Sequence, residues 1–199
     1  ASTYTQELTK DIYAQNTYIG NGTNQTILEM NDDITFDGSL TVRANSALDV
    51  NTRDITVTEN LALAANSLTG FKIYTDDITA SGSSTGVPSG SITTDTLTID
   101  NNAIIKVNYV GTLYGAGSYN LVSANSILGT YYGTEANGKV SDNSIIDSII
   151  KVDGNNLILF ADRTGGGSYG VEDLYIKKSE IGQHYSNGAS EALAGYAND

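Results

Sequence analysis

Asp33-Ile34-Thr35-Phe36-Asp37-Gly38-Ser39-Leu40-Thr41-Val42-Arg43-Ala44-Asn45-Ser46 is followed, 21 residues on, by a second version of itself. Asp33-Ile34-Thr35-Phe36 returns as Asp54-Ile55-Thr56-Val57, and Leu40 to Ser46 returns as Leu61-Ala62-Leu63-Ala64-Ala65-Asn66-Ser67. The first motif matches again at Asp77-Ile78-Thr79-Ala80, 23 residues further. Related stretches are Leu97-Thr98-Ile99-Asp100-Asn101-Asn102 and Leu121-Val122-Ser123-Ala124-Asn125-Ser126. The drift in spacing implies loops of variable length between similar units. Within a unit, Leu40 and Val42 alternate with Thr41 and Arg43, and Ile55 and Val57 with Thr56 and Thr58. A period of two gives a strand one buried and one wet face. Asn, Asp, Gly and Ser between the strands supply left-handed and Asx-turn conformations.

A unit of about 20 residues cannot bury its own inner face, so it must stack on its neighbours. The pattern predicts an all-β chain in the form of a parallel β-helix (β-solenoid) with short strands of about three to five residues. On a spacing of about 4.8 Å, roughly nine coils make a rod about 40 Å long. The competing reading is an antiparallel β-sandwich, whose strands also recur every 8–12 residues or so. The register shared by the repeated motifs favours the solenoid. Ser81 to Gly90 reads as a protruding loop that contributes nothing to the core.

Composition agrees with β structure. Charged residues make up 17% of the chain, against about 25% in an average domain. Its polarity comes from Thr, Ser, Asn and Gly, which suit turns and outer strand faces better than helices. Ten basic residues against 23 acidic ones leave a formal net charge of -13. That argues against nucleic acid and anionic membranes as partners, since both need a positive surface. The chain has no cysteine, which excludes disulfides, Cys-ligated metals and a thiol nucleophile. No run of about 18 apolar residues exists, so no direct membrane insertion by a helix is expected. Ala1-Ser2-Thr3-Tyr4 shows no basic region leading into an apolar stretch, so no signal peptide is read there.

The second half changes character. Tyr109, Tyr114, Tyr119, Tyr131 and Tyr132 are interleaved with glycines, and two apolar segments follow, Ile145 to Val152 and Asn156 to Phe160. Asp153-Gly154-Asn155 between them is a hairpin signal. The division expected is therefore 1–107 for the coils, 108–185 for a capping region with a C-terminal hairpin, and 186–199 for a helical tail. A cap is needed because an open end is an unpaired sheet edge. Ser186 or Asn187 can cap the short helix that Glu191, Ala192 and Leu193 favour.

These residues resemble the passenger region of bacterial autotransporters, the type V secreted proteins. Leu40 to Val50 and Leu97 to Val107 are similar to its coils, and Gly117-Ser118-Tyr119-Asn120-Leu121-Val122-Ser123-Ala124 is similar to a stretch near the C-terminal end of passengers. Asp153 to Leu159 resembles the strand that follows, and Asn187 to Tyr196 the segment leading to the barrel linker. The resemblance implies a right-handed parallel β-helix ending in an autochaperone-like cap. It implies display at the bacterial cell surface, with an outer-membrane β-barrel translocator in the same parent chain as partner. It gives a non-enzymatic structural role in folding, secretion and display; Asp in place of Ile149 or Leu157 is expected to block display. The alternative is an adhesin or glycan-binding module for a host glycan or protein, with Tyr131 and Tyr132 as its test positions.

No chemistry-bearing motif stands against this. Gly-Asp-Ser-Gly is absent, and no Gly-x-Ser-x-Gly elbow has a partnered histidine. Ser81-Gly82-Ser83-Ser84 and Gly165-Gly166-Gly167-Ser168 read as turns, and His184, the single histidine, as a surface or capping residue. Asp32-Asp33 and Asp76-Asp77 are the paired carboxylates a glycosidase would need, but the second Asp of each pair begins a strand, so turn capping accounts for them. Calcium loops of the nonapeptide or EF-hand type are absent, leaving Asp100, Asp142 and Asp153 as turn residues. The expectation is no catalytic, cofactor-binding or metal site, and no cofactor. The tyrosines fit either strand packing or stacking on sugar rings.

Overall fold

The computed structural model describes residues 3–78, 89–113, 116–133 and 146–163. Their strands are β1 (Thr3–Leu8), β2 (Ile12–Ile19), β3 (Gln25–Met30), β4 (Ile34–Val42), β5 (Ser46–Asn51), β6 (Asp54–Leu63) and β7 (Leu68–Tyr74). One helical turn, α1 (Thr75–Ile78), comes next. Then follow β8 (Ser91–Ile99), β9 (Ile104–Val110), β10 (Gly117–Leu128), β11 (Ile146–Asp153) and β12 (Asn156–Arg163). The chain passes alternately between two sheets. The five-stranded sheet, in order β1-β3-β5-β7-β9, is parallel throughout. The seven-stranded sheet runs β11-β12-β10-β8-β6-β4-β2. It is parallel from β2 to β10 and antiparallel where β12 and β11 join it.

The repeat is the register. Ile34 pairs with Ile55, Phe36 with Val57, Leu40 with Leu61 and Val42 with Leu63. The next strand continues the columns, with Ile92 beside Ile55 and Leu97 beside Leu61. These alternate residues are buried, and the inner faces of both sheets merge into one apolar core. Burying a Leu or Ile is worth about 1.5–3 kcal/mol, so a column of them fixes the register. A slip by one residue would turn the whole set outward.

The passage from one sheet to the other is also repeated. Ser46 N–H donates to Arg43 O at 3.2 Å, Ser67 N–H to Ala64 O at 3.0 Å and Ala103 N–H to Asp100 O at 2.9 Å. Asn45 and Asn66 take φ of 59° at the left-handed place of this turn, which Asn tolerates better than most residues. The turns bond to each other, Asn45 N–H to Asn66 O and Asn66 N–H to Asn102 O.

This architecture corrects the right-handed parallel β-helix with a C-terminal hairpin cap. The strands lie in two sheets, five parallel and seven mixed, with no closed solenoid. The unit explains the difference. It holds two strands of 6 to 10 residues rather than several short ones, so it has two faces and no third with which to close a coil. The sheets among the described residues are five and seven strands wide, not roughly nine coils deep. The hairpin at Asp153-Gly154-Asn155 is formed, with Asp153 paired to Asn156 and Gly154 at φ 58°. It supplies the last two strands of a sheet rather than a lid on a solenoid. Two motif matches also fall out of register. Asp77-Ile78 belongs to α1, and Ser91-Ile92-Thr93 takes its expected place beside Asp54-Ile55-Thr56. Val122 pairs with Ile92, whereas Ile127 is the partner of Leu97. The helical tail expected from 186 lies outside the described residues.

Candidate functional site

Among the described residues, a surface cleft lies at a fork where β10 leaves β8. Their ladder begins at Val122 beside Ile92. Upstream, Gly117 to Asn120 pair with β12 instead, and the register shifts between Asn120 and Val122. Leu121 and Val122 are both buried, which breaks the alternation as a bulge does. The gap is an open cleft of about 500 Å³ lined by Ser91, Ile92, Thr93, Ser118, Tyr119, Asn120 and Ser123.

Two glycines flank it in sequence, Gly90 before Ser91 and Gly117 before Ser118. A Cβ at Gly117 would lie 1.8 Å from Ile78 O, and one at Gly90 would lie 2.2 Å from Asn51 O. Backbone thus presses on backbone at the start of β10 and just before β8. The connection behind the cleft is organised by Ser89, which is 2% exposed. Its hydroxyl donates to Asp77 Oδ2 and accepts from Tyr74 N–H at 2.7 Å, while its own N–H donates to the same carboxylate at 3.2 Å. Tyr119 reaches across the fork and donates its hydroxyl to Ser89 O at 3.0 Å. Ser91 Oγ donates to Asp54 Oδ1 at 2.6 Å. Burial, then the carboxylates of Asp54 and Asp77, push the Tyr119 phenol up to about 12, against a hydrogen bond with Ser91. The expected loop therefore has a different end: Ser89 and Gly90 are buried, and residues 81–88 lie outside the described residues.

The tyrosine cluster separates into ties and one surface ring. Tyr131 is 3% exposed and its hydroxyl accepts from Ile105 N–H at 3.3 Å. Tyr109 shares a hydrogen bond with Ser148 Oγ, and burial pushes its phenol up to about 12. Burial raises Tyr131 as well. These contacts hold β9 to the segment before β11 and to β11 itself. Tyr132 is 54% exposed, and Tyr114 lies outside the described residues. Other exposed tyrosines are Tyr4, Tyr13 and Tyr18 on β1 and β2, with Arg43 stacked over Tyr18 at 4.2 Å.

The acidic candidates bind backbone and hydroxyls. Asp33 Oδ1 accepts from Asp54 N–H at 3.0 Å, and Asp11 Oδ1 from Thr35 N–H at 2.8 Å. Each thereby fixes the start of the next strand in its sheet. Asp32 is exposed and Asp76 sits in α1 beside Asp77. Asp100 Oδ1 accepts from Asn102 N–H at 2.8 Å within its turn, and Asp153 makes a surface ion pair with Lys151 at 3.8 Å. Among the described residues, no group of three or more His, Cys, Asp or Glu side chains is placed to hold a metal ion. Asp142, His184 and the Gly/Ser turns at 81–84 and 165–168 lie outside the described residues. No described helix is long and apolar enough to cross a membrane.

One structural distinction was missed in the sequence. Ile149 is 42% exposed, whereas Ile150 and Leu157 are fully buried. Ile149 and Ile150 are neighbours on a strand and must face opposite ways. Compared with known proteins, the chain matches no family model, no curated protein and no solved structure.

Proposed function

We propose that this chain is a non-enzymatic structural segment of a bacterial autotransporter passenger, supporting folding, secretion and display at the cell surface. The observation that supports it most is the continuous parallel ladder, β1 to β9 in one sheet and β2 to β10 in the other. Each strand pair adds on the pair before it with the same buried residues, so the structure grows by one unit at a time. At its C-terminal side β10 hands over to an antiparallel hairpin. Hairpins form from local contacts and faster than long-range parallel pairing. The hairpin therefore serves as a template for the parallel strands as the chain emerges. The ties at Tyr109 and Tyr131 lock the two together.

The test is the reading frame on both sides of the segment. A secretory signal upstream and a run of alternating, aromatic-ended strands downstream is the expected result. A stop codon straight after Asp199 would remove the translocator and overturn the proposal.

A second reading, an adhesin or glycan-binding module, draws on the fork cleft and on exposed Tyr132. Its test is Tyr132→Ala: binding to host cells or matrix should fall while the melting temperature holds. Tyr131 cannot serve, because its ring is in the core.

A further inference from the structure

The fork between β8 and β10 is an open cleft with a mainly polar lining. Its volume of about 500 Å³ lies within the range of small-molecule sites, about 300–1,000 Å³. Close backbone approaches flank it at Gly90, next to Ser91, and at Gly117, next to Ser118. Among the described residues, the lining is the hydroxyls and amide of Ser91, Thr93, Ser118, Asn120 and Ser123, with the half-buried Tyr119 and with Ile92, whose side chain is in the core.

Those groups select a ligand class. An apolar ligand would strip water from the hydroxyls without replacing their hydrogen bonds. An anion would find no Lys or Arg among the described residues of the lining. It would also meet the Asp54 carboxylate, which Ser91 Oγ contacts at 2.6 Å, and a chain of net charge -13. A neutral or amino-bearing polyhydroxylated molecule meets donors and acceptors along the open polar face. It also meets a tyrosine, whose amphipathic ring suits a surface that is part apolar and part hydroxyl. We infer that the β8–β10 fork binds a neutral or amino saccharide unit and rejects sulfated or carboxylated sugars. This rests on the second reading above and gives it a place and a ligand class.

The experiment is an amide-resolved NMR titration of the full chain with three probes: tri-N-acetylchitotriose, the matching amino trisaccharide and a sulfated disaccharide. Saturable shifts at Ser91, Thr93 and Ser118 to Asn120 with either of the first two, and none with the sulfated sugar, are expected. The double variant Ser118→Ala/Asn120→Ala should weaken that binding about tenfold, the loss of one or two neutral hydrogen bonds. Both side chains are exposed, so the melting temperature should not move. The inference is overturned by no shift with either sugar, by shifts elsewhere, by equal binding of the sulfated probe, or by unchanged affinity of the variant. Host-cell binding that persists in the same variant would leave the adhesin reading standing while this site falls.

Discussion

Asn66 shows how much of this molecule depends on single backbone choices. It sits at φ 59° in the turn between β6 and β7, above and below like turns at Asn45 and Asn102. A β-branched residue at positive φ is strained by about 1–2 kcal/mol. Asn66→Val should therefore destabilise the chain by about that amount, while Asn66→Gly should be close to neutral. Chemical denaturation of the two variants checks it; equal midpoints would show that the turn does not carry this strain. The tyrosine ties make a second prediction. Tyr109 and Tyr119 are each pushed up to about 12, mainly by burial. The unfolded phenols ionise near 10, so between about 10 and 12 the folded state holds more protons than the unfolded one. Stability from these groups is thus complete below pH 10 or so and falls as pH rises toward 12. Melting temperature against pH, with phenolate absorbance followed in parallel, should show this loss and a late-ionising subset among the 13 tyrosines. A single ionisation step near 10 for every tyrosine, with the fold intact, would contradict it.

Among the elements, β10 and β11 carry the informative departures from regularity. At the start of β10, a Cβ on Gly117 would meet Ile78 O and its carbon at 1.8 and 2.7 Å. Backbone cannot move aside as a flexible side chain can, so Gly117→Ala should cost about 1–3 kcal/mol and open the fork. A loss below about 0.5 kcal/mol in urea unfolding would show that the approach is not fixed. In β11, Ile150→Asp places an uncompensated charge in the core and should cost about 3 kcal/mol or more. Ile149→Asp, on the exposed side, should cost no more than about 0.5–1 kcal/mol. The sequence made the strands of the repeat legible because stacking demands the same apolar residue at the same place, Leu40 over Leu61 over Leu97. It did not separate Ile149 from Ile150, because Ile145-Ile146 and Ile149-Ile150 are doublets and carry no clear alternation. Nor did it show the fork, or the close approach of Gly117 to Ile78 across 39 positions of chain. Asp77-Ile78 copied the letters of a strand start but lies in a helical turn.

For the whole molecule, a parallel stack of two-strand units explains why repeat and core coincide. Any stacked parallel arrangement needs that repeat, so periodicity alone could not choose between a closed coil and two sheets. The length of each strand and the turns between them made the choice, 9 and 6 residues in one unit and 10 and 7 in the next. The proposed function asks this molecule to fold from its antiparallel hairpin back through the parallel strands. Leu157 is the position where that demand is most exposed to test: it is fully buried in β12 and pairs with both Val122 of β10 and Val152 of β11. The measurement is surface display of the chain joined to an outer-membrane β-barrel translocator of the kind the proposed function requires, scored by accessibility to external protease, for wild type, Leu157→Asp and Ile149→Asp. The account predicts that Leu157→Asp abolishes display and that Ile149→Asp leaves it near wild type; display of Leu157→Asp at the wild-type level would contradict it.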